Sequence, residues 1–224
     1  MAKAGAPLPP GLTGPNHEAL AKGIANLEQH IANVKAYGVP VVVAINGFQG
    51  DSPEEWQYVK QRALEAGAAG AAVSTHWVDG GKGAEALVEE VVTACRRPSD
   101  FRFLYPDSMP IKQKIETVAT RMYGAAGVIF EPAVEEQIET ATRMGCGEWP
   151  VCMAKTPLSL SHDPALKGRP TGFMLPVKEL RILAGAGFLT AVCSGIQLMP
   201  GLPRHPAGEH IDIDCETHQI VGLS

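Results

Sequence analysis

Hydrophobic residues recur along the chain in two alternating patterns, one with the period of a helix and one as short continuous runs. Apolar side chains spaced three and four residues apart predict an amphipathic helix from Asn16, its N-cap, to about Tyr37, with Gly38 ending it. The β-branched run Val39–Ile45 follows directly, and such a run is typical of a parallel strand covered on both faces. The apolar positions of the helix are Leu20, Ile24, Leu27, Ile31 and Val34.

The same alternation of helix and strand patterns continues to Tyr123. Ser52 and Pro53 open the next helix, with proline at its first position. Strands that alternate with helices favour a small parallel α/β unit with crossover helices. The further predicted elements are a helix from Ser52 to about Gly67, a strand Ala69–Thr75, a helix from about Ala84 to Cys95, a strand Phe101–Tyr105 and a helix Pro110–Tyr123.

A second unit is predicted from Gly124 onward, beginning with a strand Ala125–Phe130, a helix Pro132–Met144 and a strand Pro150–Lys155. A polar loop, Leu158–Gly172, separates these from a series of short apolar segments. The predicted fold class is therefore α/β: a small parallel Rossmann-like α/β domain followed by a second α/β domain with additional short strands. The short predicted strands are Phe173–Val177, Leu180–Leu183, Phe188–Val192, His210–Ile213 and Ile220–Leu223.

Composition narrows the class of protein. With 45% hydrophobic and 19% charged residues, the chain can build a packed core. A net charge of −5 argues against binding to nucleic acid. No apolar run approaches the roughly 18 residues of a membrane span, and no secretory signal opens the chain. The five cysteines are scattered and the histidines lack metal-ligand spacing, which predicts reduced thiols, a cytoplasmic location and no metal site.

Two aromatic residues follow the ends of successive predicted strands. Phe48 comes just after Ile45 and Asn46, and Trp77 comes just after Thr75. In an open parallel sheet, ligands bind beyond the carboxyl ends of the strands. The two rings could therefore hold a flat heteroaromatic ligand between their faces. The alternative is that both are ordinary packing aromatics, as most aromatic residues are.

Other motifs carry weaker signals. Gly80–Gly83 could offer backbone N–H groups to an anion or could be a simple turn into a helix. The spacing Gly-x-x-x-x-Gly-Lys-Ser/Thr of a P-loop occurs nowhere in the 224 residues. Ser159, Ser161 and His162-Asp163 are neighbours in a loop and do not form the pattern of a catalytic triad. The small-residue stretches Ala184–Gly187 and Met199–Pro203 allow close backbone approach.

Many separated motifs together resemble one family. In order and spacing, the chain from about Asn16 onward resembles the C-terminal part of formate–tetrahydrofolate ligase. The motifs that carry the resemblance are Val41-Val42-Val43-Ala44-Ile45-Asn46, Trp77 with Gly80-Gly81-Lys82-Gly83, Tyr123-Gly124-Ala125, Val151-Cys152-Met153-Ala154-Lys155-Thr156, Ala184-Gly185-Ala186-Gly187-Phe188, Met199-Pro200-Gly201-Leu202-Pro203, Ile211-Asp212-Ile213-Asp214 and Gly222-Leu223.

The resemblance implies an ATP-dependent formylation of tetrahydrofolate to 10-formyltetrahydrofolate, through formyl phosphate. It implies that Phe48 and Trp77 sandwich the pterin ring and that Val73 borders the same pocket. ATP and Mg²⁺ are implied by the family, but their P-loop belongs to an N-terminal domain that these 224 residues do not include. It also implies three parts: residues 1–38 as a remnant of that large domain, residues 39–123 as the α/β domain with the folate-site aromatics, and residues 124–224 as a C-terminal α/β domain.

Three functions remain open at this point. The chain is a member of the ligase family that is inactive alone, the C-terminal subunit of a split ligase whose separate N-terminal polypeptide supplies the nucleotide site, or a non-catalytic folate-binding or assembly protein. The apolar stripe of the helix Asn16–Tyr37 has no obvious partner in the sequence. We therefore expect a homo-oligomer or self-association, and no nucleic-acid or membrane partner.

Overall fold

The computed structural model describes residues 14–48, 50–193, 196, 204–216 and 220–222. The described residues belong to two compact units: those up to Ile196 form a large unit, and those from Arg204 onward belong to a small unit. The helices are α1 (His17–Lys35), α2 (Pro53–Glu65), α3 (His76–Asp79), α4 (Glu85–Cys95), α5 (Ile111–Tyr123) and α6 (Pro132–Arg143). The strands are β1 (Val42–Asn46), β2 (Gly70–Ser74), β3 (Gly127–Phe130), β4 (Val151–Ala154), β5 (Met174–Leu183), β6 (Phe188–Cys193), β7 (Asp212–Ile213) and β8 (Ile220–Val221).

Helix α1 begins as its sequence predicts. The Asn16 side chain accepts a hydrogen bond from the Ala19 N–H at 3.0 Å and so caps the helix. The expectation that its apolar stripe lacks a partner is wrong. Ile24 and Ile31 are buried, and Ile31 packs in one cluster with residues of β1 and α2. Most of the stripe is covered within the chain because α2 returns alongside α1, whereas Val34 at its end stays exposed.

A first sheet is formed by β1 and β2, which run parallel with Asn46 opposite Ser74. Helix α2 crosses between them and begins with a capping box, in which Ser52 and Glu55 each bond the other's backbone N–H. This is the strand–helix–strand unit predicted from the alternating pattern. The cluster that joins the sheet to α1 and α2 contains Ile31, Val43, Ile45, Ala63 and Ala71.

The predicted strand Phe101–Tyr105 is wrong. The segment bends at Leu104 and Tyr105 and makes no strand pairing among the described residues. Its backbone follows the loop after α1 instead: Asp100 N–H donates to Gly38 and Arg102 N–H donates to Tyr37, both at 3.0 Å. Bonds to a helix end satisfy this backbone, so it does not extend the sheet.

A second sheet has the strand order β3-β5-β6-β4. Strands β5 and β6 form an antiparallel hairpin, whereas β3 and β4 lie parallel to their neighbours at the two edges. The two predicted strands Phe173–Val177 and Leu180–Leu183 are one strand, β5. A register shift between Val177 and Glu179 interrupts its pattern, which explains why the sequence suggested two strands. Helices beside parallel and mixed sheets confirm the α/β fold class.

In the small unit that contains the described residues from Arg204 onward, β7 and β8 pair antiparallel, with Asp212 opposite Val221. The stretches Met1–Thr13 and Met199–Pro203 lie outside the described residues. The predicted domain boundary at residues 123 and 124 stays a prediction. Within the described part of the chain, no helix combines the length and the apolarity needed to cross a bilayer.

The buried thiol of Cys193 leads to a prediction about alkaline pH. Burial raises the pKa of this thiol from 9.0 to about 11, an effect that nearby Lys155 partly offsets. The folded chain holds the Cys193 thiol proton more tightly than the unfolded chain does, so the protonated thiol stabilises the fold. This contribution to the free energy of unfolding is complete below pH 9.0 and is lost as the pH rises through about 11. Between pH 8 and pH 10, deprotonation of the Cys193 thiol in the unfolded chain should lower the free energy of unfolding by on the order of 1 kcal/mol.

Urea unfolding of the unmutated chain and of Cys193→Ala at both pH values tests this prediction. The variant should lose stability at pH 8, because it leaves a small cavity, yet show a smaller decline between the two values. Cys95→Ala is the matched control, since Cys95 is exposed. An equal decline in both the Cys193 variant and the unmutated chain would contradict the prediction.

Candidate functional site

The parallel pairing of β1 and β2 brings Phe48 and Trp77 to the same edge of the sheet. The Gly47 N–H donates to the Ser74 carbonyl at 3.0 Å and extends the pairing by one residue beyond β1. The Phe48 and Trp77 rings then lie with centroids 5.7 Å apart and planes inclined by 31°. Both side chains are about half exposed. These exposed, adjacent rings form the aromatic pair of the candidate site.

Backbone and side-chain bonds hold Trp77 in place. Its indole Nε1–H donates to the Gly47 carbonyl at 2.7 Å, which ties the end of β2 to the end of β1. The short helix α3 carries Trp77. The Thr75 hydroxyl, just before this helix, donates to the carboxylate of Asp79, its last residue, at 2.6 Å and so links its two ends. Trp77 is therefore the fixed member of the aromatic pair.

Asp51 organises the turn that carries Phe48, a role the sequence reasoning missed. One carboxylate oxygen of Asp51 accepts from the Phe48 N–H at 2.9 Å and from the Trp56 indole N–H at 3.2 Å. The Asp51 N–H in turn donates to the Phe48 carbonyl at 3.2 Å. The available signal was an aspartate directly before the Ser52 cap, because such side chains commonly bond nearby backbone N–H groups.

Val73 lies close to Gly47, the residue before Phe48. It is half-buried on β2 and packs with the cluster of the first sheet. A Cβ at Gly47 would come within 3.1 Å of a Val73 methyl group and of the Trp56 ring. Val73 therefore abuts the turn before Phe48, and a larger residue at position 47 would have to push Val73 or Trp56 aside by a few tenths of an ångström. Its role in binding a ligand stays a prediction.

The spacing of the rings shows what the aromatic pair can do. A flat ligand between two ring faces needs about 7 Å between them, since stacked carbon atoms approach to about 3.5 Å. The centroids of Phe48 and Trp77 lie 5.7 Å apart, so the rings touch each other. The Phe48 ring has to swing outward to admit a ligand, because Trp77 is held by its bond to Gly47.

Gly80–Gly83 serve as a turn that supports Trp77. Residues 80–84 form a single 3-10 turn, and the Gly83 carbonyl accepts from the Thr75 N–H at 3.0 Å. A Cβ at Gly83 would lie 2.6 Å from the Thr75 carbonyl carbon, so no larger residue fits there. Of the two interpretations of this stretch, the turn into a helix is the one that these contacts favour.

Replacing Gly83 with alanine should displace the turn that carries Trp77. We expect a loss of about 2 kcal/mol in unfolding free energy, typical of forced overpacking, together with a change in tryptophan emission. Gly81→Ala is the matched control, because a Cβ there meets nothing within 4 Å. Chemical denaturation and fluorescence spectra of both variants measure these effects. Equal behaviour of the two variants would show that the contact with Thr75 is unimportant.

The loop with Ser159 and Ser161 is structural, as the sequence indicated. Both serines are buried, and their hydroxyl groups donate to the backbone carbonyls of Leu166 and Asp163, at 2.6 and 3.1 Å. The Lys155 ammonium donates to the carbonyls of Thr156 and Ser159 in the same loop, and burial lowers its pKa. None of these groups is arranged as a nucleophile with a base.

The described residues offer no cluster of metal-binding side chains. Among the residues that the structure describes, no group of three or more histidine, cysteine, aspartate or glutamate side chains could hold a metal ion. The aromatic pair is thus suited to binding a flat ring by stacking.

Comparison with known proteins identifies the family. A family model described as formate–tetrahydrofolate ligase matches residues 2–224. The formate–tetrahydrofolate ligases of Desulforamulus reducens and Saccharopolyspora erythraea are each 50% identical, over 98% and 99% of this chain and 39% of their own lengths. The cytoplasmic C-1-tetrahydrofolate synthase of Homo sapiens is 44% identical over 98% of this chain and 24% of its own length.

The chain thus spans about two fifths of the length of the bacterial relatives and about a quarter of the human relative. The match extends over all of the described residues, including the three sheets and the aromatic pair. The chain therefore belongs to the formate–tetrahydrofolate ligase family.

Proposed function

We propose that this chain provides the folate-binding, C-terminal part of a cytoplasmic formate–tetrahydrofolate ligase. The proposed whole activity is the formation of 10-formyltetrahydrofolate from tetrahydrofolate, formate and ATP. The observation that carries the proposal is the aromatic pair at the carboxyl ends of β1 and β2, with ring centroids 5.7 Å apart. Family membership supports the substrate, since the relatives are named for tetrahydrofolate and formate.

In the proposed complex, the pterin ring enters between Phe48 and Trp77. Trp77 keeps its bond to the Gly47 carbonyl and offers one face of the indole. The Phe48 ring moves aside and closes on the opposite face, while the Asp51 carboxylate keeps the Phe48 backbone in position. Val73 packs against the turn from below. Stacking on two faces, with water excluded, supplies the binding energy.

The nucleotide part of the proposed reaction lies outside these residues. The 224 residues contain no P-loop motif, and the described residues offer no cluster for Mg²⁺. We therefore propose that ATP and Mg²⁺ are held by an N-terminal ligase segment, on the same polypeptide or on a separate one. By itself the chain should bind tetrahydrofolate without ATP-dependent turnover.

Two measurements test the proposal. Calorimetry with tetrahydrofolate should show saturable binding to the chain, and an assay with formate, ATP and tetrahydrofolate should show no turnover. Adding an N-terminal segment of a relative that carries a P-loop should restore turnover. Absence of binding would remove the proposal, and turnover by the chain alone would contradict the missing nucleotide site.

One result would favour the alternative function. If the chain binds tetrahydrofolate but no P-loop segment restores turnover, the chain is a non-catalytic folate-binding or assembly protein. The aromatic pair, which needs no nucleotide site to stack a pterin, is the feature that supports this alternative. The reconstitution assay therefore separates the two functions.

A further inference from the structure

A cavity lies apart from the aromatic pair and shares no residue with it. It has a volume of about 460 Å³ and is bounded by the end of α1, the segment 101–107, α5 and the start of β4. The rings of Tyr37, Phe103 and Tyr105 line it, with Val118 among the apolar groups and Asp107 as the charged group. Its size and its mostly apolar lining are those of small-molecule sites.

Hydrogen bonds fix the walls of this cavity in advance. The segment that carries Phe103 is tied to the end of α1, where Arg102 N–H donates to the Tyr37 carbonyl at 3.0 Å. From α5, the Arg121 guanidinium donates to the Leu104 carbonyl at 3.2 Å. Gly38 is required for this approach, because a Cβ there would lie 1.7 Å from the Asp100 carbonyl oxygen. The cavity is therefore pre-formed.

Large aromatic surfaces are exposed at its rim. The Phe103 side chain is 72% exposed, and Phe101 beside it is 59% exposed. Phe101 contacts Phe103 edge to face, with centroids 5.4 Å apart, and stacks with Tyr37 at 6.5 Å. Adjacent aromatic rings left open to solvent beside a cavity are typical of binding sites.

The polar groups complement a particular kind of ligand. The Tyr105 hydroxyl accepts from the Val151 N–H at 3.0 Å, and its own hydrogen is donated to none of the described residues. Burial raises the pKa of Tyr105, which keeps this donor protonated. The exposed Asp107 carboxylate accepts no hydrogen bond within the described part of the chain. Lys114, the cation that interacts with Asp107, has its ammonium committed to two backbone carbonyls.

We propose that this cavity binds an amino-substituted heteroaromatic ring. The faces of Tyr37 and Phe103 hold the flat body of the ligand. The Tyr105 hydroxyl donates to a ring nitrogen, and the Asp107 carboxylate accepts from the exocyclic amino group. Adenine and pterin rings share this chemistry. The proposal does not depend on the folate site formed by Phe48 and Trp77.

The test uses the full chain carrying Trp77→Ala, which removes the fixed face of the aromatic pair and so suppresses pterin binding at that site. Adenosine and 6-methylpterin are each titrated into this protein by calorimetry, up to about 5 mM as suits fragment-sized ligands. We expect saturable binding of at least one. Binding of adenosine alone identifies a nucleoside ligand, and binding of 6-methylpterin alone identifies a pterin; either supports the site.

Two further substitutions locate the binding. Phe103→Ala and Asp107→Asn, each added to Trp77→Ala, should weaken binding at least about five-fold, as loss of one stacking or charged contact does. Both positions are exposed, so the fold should tolerate these changes. Val88→Ala, at an exposed position on α4 outside the cavity, is the control and should change binding less than two-fold. Absence of saturable binding by both probes, or binding that neither cavity substitution weakens, would overturn the proposal.

Discussion

Replacing Lys114 with methionine is expected to lower the free energy of unfolding by about 2–4 kcal/mol. The Lys114 side chain is fully buried on α5, and its ammonium donates to the carbonyls of Gly147 and Trp149, both at 3.0 Å. Methionine has a similar length but cannot donate. The two carbonyls would be left buried without a partner, in the turn that leads into β4. Burial lowers the pKa of Lys114, so part of the gain from these bonds already offsets desolvation.

Denaturation by urea at neutral pH measures the effect. Lys112→Met is the matched control on the same helix, because Lys112 is partly exposed and its ion pair with Glu135 is of the surface type. Such pairs contribute about 0–1 kcal/mol, so the control should change stability little. If both variants lost the same stability, the two carbonyl bonds of Lys114 could not be the cause.

Replacing Trp77 with alanine is expected to weaken tetrahydrofolate binding by roughly ten- to hundred-fold. Stacking of a flat heterocycle on an aromatic side chain is worth about 1–3 kcal/mol, and each 1.4 kcal/mol is about a factor of ten in affinity. Trp77 is the fixed face of the aromatic pair, because its indole bonds to the Gly47 carbonyl at 2.7 Å. Alanine removes both the stacking face and that bond.

Calorimetry with tetrahydrofolate compares this variant with two others. Phe48→Ala should also weaken binding, but less, since Phe48 must first move away from Trp77. Met144→Ala is the control, because it removes a large exposed side chain that belongs neither to the aromatic pair nor to the cavity beside Phe103. Retained affinity in Trp77→Ala, or an equal loss in Met144→Ala, would show that folate does not bind between Phe48 and Trp77.

The sequence pattern was sufficient to predict helices and strands wherever neighbouring residues alone decide the local structure. Asn16 and the pair Ser52-Pro53 marked helix starts, and both are capped as expected. The run Val39–Ile45 predicted a strand because β-branched residues favour that backbone locally. An aromatic residue after each of two parallel strands was enough to predict that Phe48 and Trp77 lie at the same edge of the sheet.

Local pattern failed where a distant segment decides the structure. Phe101–Tyr105 has the composition of a strand, but its backbone bonds to the end of α1 and not to a sheet edge. The apolar stripe of α1 had no partner that sequence could identify, yet Ile31 packs in one cluster with Val43 and Ala63. Contacts between such segments depend on how the connections place them, which no single window of sequence contains.

The sequence by itself determined the order of the elements, the α/β class, and the two aromatic residues at one edge of the first sheet. Only the tertiary structure decided that these rings touch, that Asp51 and Gly83 support them, and that Lys114 is buried under the turn before β4. The physical reason is that backbone periodicity and capping act over a few residues. Ring spacing, burial and the cavity beside Phe103 instead arise from packing between segments tens of residues apart, where close packing sets each distance.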